Sequence, residues 1–263
     1  MPVTTAHPLV AVPLARLGLP LSALTIGSMA PDFPYFLHWP ADSHYGHSWE
    51  GFFTLSLPLG VVGLVAFHGL FKLPLLSLFP TSHQEKLLPA ARAFRIDSVS
   101  KAVLALLAVF LGAVTHIAWD SFTHFYGWPV QHLAFLRDPI GRTFLGSITG
   151  YKLVQYASGI GGTAALIYLY FAWIKKDEFD DEEADEALPW PSPKGRLGMV
   201  LIFLLISTIV ALLYATLKTH RGIHMQWIQD FARFAILMGG ASLVLQIVLY
   251  SLYWRFRFSP RTE

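Results

Sequence analysis

Five stretches of this chain, roughly residues 52–72, 102–119, 153–174, 198–217 and 234–254, run with hardly a charged side chain. Each is close to the length of about 20 apolar residues that an α-helix needs to cross the hydrocarbon of a bilayer. Inside lipid the backbone has no water to bond to, so such a run must satisfy its own N–H and C=O groups, which a helix does. Composition points the same way, with 54% hydrophobic and 14% charged residues, where a globular domain carries about a quarter charged. The expected fold is all-α: a polytopic transmembrane helical bundle of five spans, forming a single integral-membrane domain over residues 1–263. A further apolar stretch, 8–30, is broken by Pro8, Pro13 and Pro20, which interrupt a helix ladder. It is expected to form short helical or re-entrant segments packed against the bundle.

The remaining sequence excludes several classes. Residues 1–30 lack the basic start and unbroken apolar core of a cleaved signal peptide, so the amino end is expected to be retained. There are no cysteines, hence no disulfides, thiolate metal ligands or cysteine nucleophile. A net charge of +2 gives no footprint for nucleic acid. Residues 175–197 form an acidic, proline-containing loop between the third and fourth spans, which reads as a solvated linker.

The loops after the first, third and fifth spans hold more Lys and Arg than the amino-terminal stretch and the loops after the second and fourth. By the positive-inside rule the richer set is cytoplasmic. The protein is then expected in a plasma membrane, multi-pass, with its first 50 residues and the loop after the second span outside. Most of the histidines sort to that same face.

The sequence THIAWDSFTH, Thr115 to His124, closes the second apolar run and places His116, Asp120 and His124 at four-residue intervals. On a helix they form one stripe, within an arc of about 80° and about 12 Å long. Imidazole and carboxylate four residues apart suit zinc or manganese. The length of the stripe predicts that His116 and Asp120 share an ion while His124 meets a second ion or the substrate. The plainer reading is a helix end wetted at the headgroups; ionisable groups beside a span are costly and usually functional. Upstream, Pro31 and Pro34 bracket Asp32, and residues before proline avoid the helical region, which predicts a fixed, non-helical carboxylate or an Asx-type turn. His44 and His47 lie just before the first span, with Ser48 as a helix cap and Glu50 in the first turn. Of the two, His47 is the favoured ligand. His7, before Pro8, completes the set. His220 and His224 repeat the four-residue spacing without a carboxylate. Gln155 and Ser158 read as interhelical hydrogen bonders, and Gly159, Gly161 and Gly162 as packing positions.

The blocks MPVTTAHPLVAVPL, IGSMAPDFPYFL, YGHSWEG, THIAWDSFTH and GYKLVQYASG resemble an uncharacterised family of bacterial integral-membrane proteins known only as a domain of unknown function. The order His, Asp, His, His-x-x-x-Asp, His is distantly similar to membrane-bound metal-dependent hydrolases and to the zinc-dependent phospholipase C and P1 nuclease group. That resemblance implies that His7 and Asp120 hold one zinc, that Asp32, His47, His116 and Asp120 hold another with Asp120 bridging, and that His124 begins a third site. The soluble enzymes complete the third site with a His-x-x-x-Glu pair. Here His132 has no such glutamate after it, so one or two metals are expected.

The function these features imply is a membrane-embedded metal-dependent hydrolase of a phosphoester such as a phospholipid or lipid-linked phosphate, with Asp120 and His124 as its catalytic groups. Arg137 and Arg142, in the aromatic loop after the second span, read either as phosphate ligands or as interfacial anchors beside Tyr126 and Trp128. That loop is expected to lie at the lipid surface and admit a lipidic substrate. The other class to weigh is a non-catalytic metal-binding scaffold or transporter.

Overall fold

The computed structural model describes residues 4–36, 45–143, 146–176, 188, 191–219 and 225–258. His38, Asp42, His44, His220, His224 and the acidic run 177–187 lie outside the described residues. After a 3-10 segment, Thr4–Val10, come three short helices, α1 (Ala11–Ala15), α2 (Leu21–Met29) and α3 (Phe33–Phe36). The long α4 (Trp49–Ser77) contains π-helical turns at Phe52–Ser56 and Phe67–Phe71. It is followed by α5 (Thr81–Ala93), α6 (Val99–Thr123), α7 (Trp128–His132) and α8 (Ala134–Arg137). Strands β1 (Pro139–Thr143) and β2 (Gly146–Thr149) precede α9 (Gly150–Ile174), α10 (Pro193–Lys218) and α11 (Met225–Phe258).

The protein is thus an all-α polytopic bundle, with five helices among the described residues long and apolar enough to span a membrane. Each expected run falls within α4, α6, α9, α10 or α11, and the helices extend beyond it where local capping allows. Ser98 accepts from the Lys101 amide at 3.3 Å to start α6. Ser192 does the same for Gly195, with Pro193 at the first helical position, where a missing N–H costs nothing. Ser48 caps α4 by accepting from Gly51 N at 3.0 Å.

The loop after α6 carries a small ribbon: β1 and β2 pair antiparallel, with Arg142 opposite Ser147 and a bulge between Pro139 and Gly141, and its Ile and Thr residues suit a strand. Ala30 and Phe33, the residues before Pro31 and Pro34, are both in the helical region. Asp32 therefore ends a tight 3-10 turn: of the extended and turning backbones expected for it the turn forms, with helical dihedrals, because Pro31 sits at its start, where proline is tolerated.

The chain divides into two compact units. The first, residues 1–64 and 96–175, contains an amino-terminal hairpin. One limb is the 3-10 segment and α1; the chain reverses at Gly18, whose φ of +83° suits a residue without Cβ; α2 is the returning limb. Small residues let α2 lie against α6. A Cβ on Gly27 would stand 2.2 Å from the Val109 carbonyl oxygen, and one on Gly112 would stand 2.3 Å from that of Leu24. This close crossing, of the kind small residues permit between membrane helices, fixes the depth of α2 and everything that follows it. The 3-10 segment packs on α9, with Ala6 against Gly162. Gly161 faces open space, so only part of the expected glycine contact forms.

The second unit, residues 65–95 and 176–263, pairs α10 with α11 along their length. Its buried core is Leu76, Leu88, Leu188, Tyr250 and Trp254. Arg196, almost fully buried, donates to the Pro191 and Phe79 carbonyls and to Thr81 Oγ1, which resolves the cost of burying its charge among carbonyl dipoles.

Candidate metal centre

The site is built where the two ends of the hairpin meet the carboxyl end of α6. The α2–α6 crossing brings the Ser28 carbonyl to 2.7 Å from His116 Nδ1. That nitrogen donates, so the neutral ring presents the lone pair of Nε2 to the interior. One turn on, Asp120 faces the same way and is buried, as is Asp32 at the end of the hairpin. Thr4 Oγ1 donates to Asp32 Oδ2 at 2.6 Å, closing the hairpin's mouth and aiming the other oxygen, Oδ1, inward.

His47 is carried by a 3-10 turn, Tyr45–His47, anchored from both sides. Ser56 Oγ donates to the Gly46 carbonyl at 2.7 Å, and the Ser48 amide donates to that of Tyr45 at 2.9 Å. A Cβ on Gly46 would already press on the Pro31 oxygen at 3.0 Å, so glycine lets this turn sit directly over Asp32.

Asp32, His47, His116 and Asp120 each offer one ligand atom, and the four atoms lie within 4.8 Å of one another. His47 Nε2 and His116 Nε2 are 3.2 Å apart. Asp120 Oδ2 is 3.3 Å from His116 Nε2 and 3.4 Å from His47 Nε2. Asp32 Oδ1 is 3.7 Å and 3.6 Å from the same two atoms. Around a tetrahedral cation with ligands at about 2.0–2.1 Å, neighbouring ligand atoms stand roughly 3.3–3.4 Å apart. The cluster therefore has the size and donor set to hold a metal ion.

Charge makes the same demand. Two carboxylates lie side by side at 4% and 5% exposure, and among the described residues only imidazoles bond to them besides Thr4 and Thr123. Protonation cannot balance both at the His47–His116 contact, because a proton on each Nε2 would set two N–H groups head to head across 3.2 Å. Burial, reinforced by the neighbouring His116, pushes the His7 imidazole down to about 4 against the opposing pull of the two aspartates, so it is neutral near pH 7. Buried charge of this kind is met by pairing or by a metal.

His7 and His124 flank the four. The rings of His7 and His116 stack with centroids 3.8 Å apart, and His7 Nε2 lies 3.4 Å from Asp120 Oδ1. The two oxygens of one carboxylate thus face two parallel imidazoles. His124 corrects the stripe geometry. The helix stops at Thr123, and His124 is extended, with φ −120° and ψ 142°. Its ring folds back so that Nδ1 lies 3.1 Å from the Asp120 carbonyl and 3.5 Å from Oδ2, half-exposed at the rim. The 12 Å separation expected for a continuous helix is lost with the helix itself.

Elsewhere the loop is locally tied. Arg137 pairs with Asp138 at 3.0 Å, and Arg142 is exposed in β1; among the described residues neither bonds to the cluster. His132 Nδ1 donates to the Trp128 carbonyl and its ring stacks on that indole. Ser158 accepts from Trp119 Nε1 at 3.2 Å, an interhelical bond between α6 and α9. Sequence reasoning missed Thr4 and the Ser28 carbonyl. The spacings Ala23-x-x-x-Gly27 and Ala108-x-x-x-Gly112, the latter in register with His116 and Asp120, were the available signal that these two helices touch.

No curated protein and no solved structure matches the chain. Residues 1–252, which include the whole cluster, match the family model described as a domain of unknown function (DUF4184), and the chain belongs to that family.

Proposed function

We propose that the protein is a membrane-embedded metal-dependent hydrolase acting on a phosphoester, a phospholipid or lipid-linked phosphate, with zinc as the first expectation for its metal and manganese the second. The observation that carries this is the arrangement about Asp120, whose two oxygens face His7 on one side and His116 and His47 on the other. Asp32, His47, His116 and Asp120 would hold one cation, and His7 and Asp120 a second.

When bound, the cations supply Lewis acidity, acidifying water and neutralising charge that builds on a phosphoryl group. The chain's own residues do the rest. Thr4 and the Ser28 carbonyl hold Asp32 and His116 in one orientation. His124, with Nδ1 against the Asp120 carbonyl, keeps Nε2 to accept a proton from water or return one to the leaving oxygen. Arg137 and Arg142, on the same-face loop, are assigned to the substrate phosphate, Arg137 exchanging Asp138 for it. By charge bias of the loops the site opens on the extracytoplasmic side.

The test is hydrolysis of bis(p-nitrophenyl) phosphate and of phospholipid by detergent-purified protein with zinc or manganese. His124→Ala should keep its metal and lose activity by about 100-fold or more, as expected of a general acid–base group. Asp120→Ala should lose both. Metal-loaded wild type that turns over neither substrate would leave a metal-binding scaffold or transporter as the reading of this cluster.

A further inference from the structure

Beside the metal centre a cavity of about 690 Å³ lies between the first limb of the hairpin, α6 and α9, a size within the roughly 300–1,000 Å³ of ligand pockets. His7 belongs to both: its ring stacks on His116 and also lines the cavity. From there the walls pass Trp119 and Phe122 on α6 and Ser158 and Gly162 on α9 to Arg16 and Leu169.

Apart from His7 and Arg16, the walls offer little to a polar ligand. Thr115 Oγ1 donates to the Gly112 carbonyl at 2.7 Å, and Ser158 Oγ is engaged by Trp119 and the Gln155 carbonyl. Two of the walls are membrane-crossing helices, so the medium beside the cavity is hydrocarbon. We infer that this cavity is the tail groove for the substrate of the metal centre: a hydrocarbon chain of a lipid phosphoester lies along it and sets the phosphate beside His7 and Asp120. The inference rests on the hydrolase reading for what happens at the phosphate, but the binding itself needs no turnover. Because a tail leaves lipid for a lipid-like wall, the transfer gains little hydrophobic energy. The groove therefore positions the chain by shape, and filling it should expel the chain outright.

The experiment is native mass spectrometry of detergent-purified protein given palmitoyl-oleoyl phosphatidylglycerol. Ala118→Trp and Val12→Trp place an indole in the groove from opposite walls, and Val103→Trp places one on an exposed position of α6 outside it. Wild type and Val103→Trp should retain one lipid per chain, while both groove variants lose it and keep wild-type metal content. A phosphatidylglycerol carrying a diazirine on its acyl chain should label Val12 and Leu169. Equal retention in all four proteins, or label spread over the lipid-facing belt without enrichment in the groove, overturns the inference. Bis(p-nitrophenyl) phosphate hydrolysis separates the two readings: retained lipid without hydrolysis sinks the hydrolase alone. Unchanged hydrolysis by the groove variants with unchanged lipid retention sinks the groove alone.

Discussion

Thr4 shows how much of the centre depends on residues that carry no metal-ligand chemistry of their own. Its hydroxyl fixes Asp32 through one charge-assisted bond, and partners of this kind are typically worth 10- to 100-fold in metal affinity. Thr4→Val should weaken zinc binding by about that factor in a chelator competition, with stoichiometry unchanged; an unaltered affinity would show that Asp32 is not a ligand. His7 gives a pH signature in metal-free protein. Its folded value is about 4 against an ordinary 6.5, so below 6.5 the unfolded chain takes up the proton first. Stability should fall as pH drops from 6.5 towards 4, and His7→Asn should flatten that part of the thermal-melting profile. Most of the candidate side chains were legible from the sequence because buried-looking histidines and aspartates in greasy surroundings stand out. The tautomer of His116 was not legible, since it is set by a backbone carbonyl 88 residues away, and carbonyls leave no mark in a sequence.

The decisive element-level feature is the crossing of α2 and α6. Gly27→Ala or Gly112→Ala pushes a methyl group against a backbone oxygen that cannot rotate aside. Overpacking of this kind costs about 1–3 kcal/mol or more. Both variants should melt lower in detergent, and both should lose metal because Ser28 moves off His116. Gly161→Ala is the contrast: nothing lies within 4 Å of its added Cβ, so relief of helical glycine entropy should leave it unchanged or about 0.5–1 kcal/mol more stable. The spans themselves were readable because length and hydropathy alone specify them. The bend at His124 was not readable: the stripe continues in sequence where the helix does not, and Gly127 lies three residues past the break. At Asp32 a turn was readable from the flanking prolines but its helical dihedrals were not, since packing against α6 and α4 overrides the backbone preference before proline.

For the molecule as a whole, five apolar helices among the described residues make a membrane protein, while its division into two units and the packing of the amino-terminal hairpin depend on contacts far apart in sequence. Arg16 illustrates the difference. Counted by sequence it belongs to the outer face, and in the fold it lines the cavity between the hairpin, α6 and α9. Orientation is testable on a background free of native thiols. Ile140→Cys in β1 should react with an impermeant maleimide in intact cells, and Arg95→Cys before α6 only after permeabilisation; the reverse pattern would turn the site to the cytoplasm. Every functional assignment depends on the cluster holding a divalent cation, so elemental analysis of detergent-purified wild type beside Asp120→Ala and His116→Ala is the most direct test. The arrangement of Asp32, His47, His116 and Asp120 predicts at least one equivalent of divalent metal in the wild type and its loss in both variants. Equally little metal in all three proteins would contradict it.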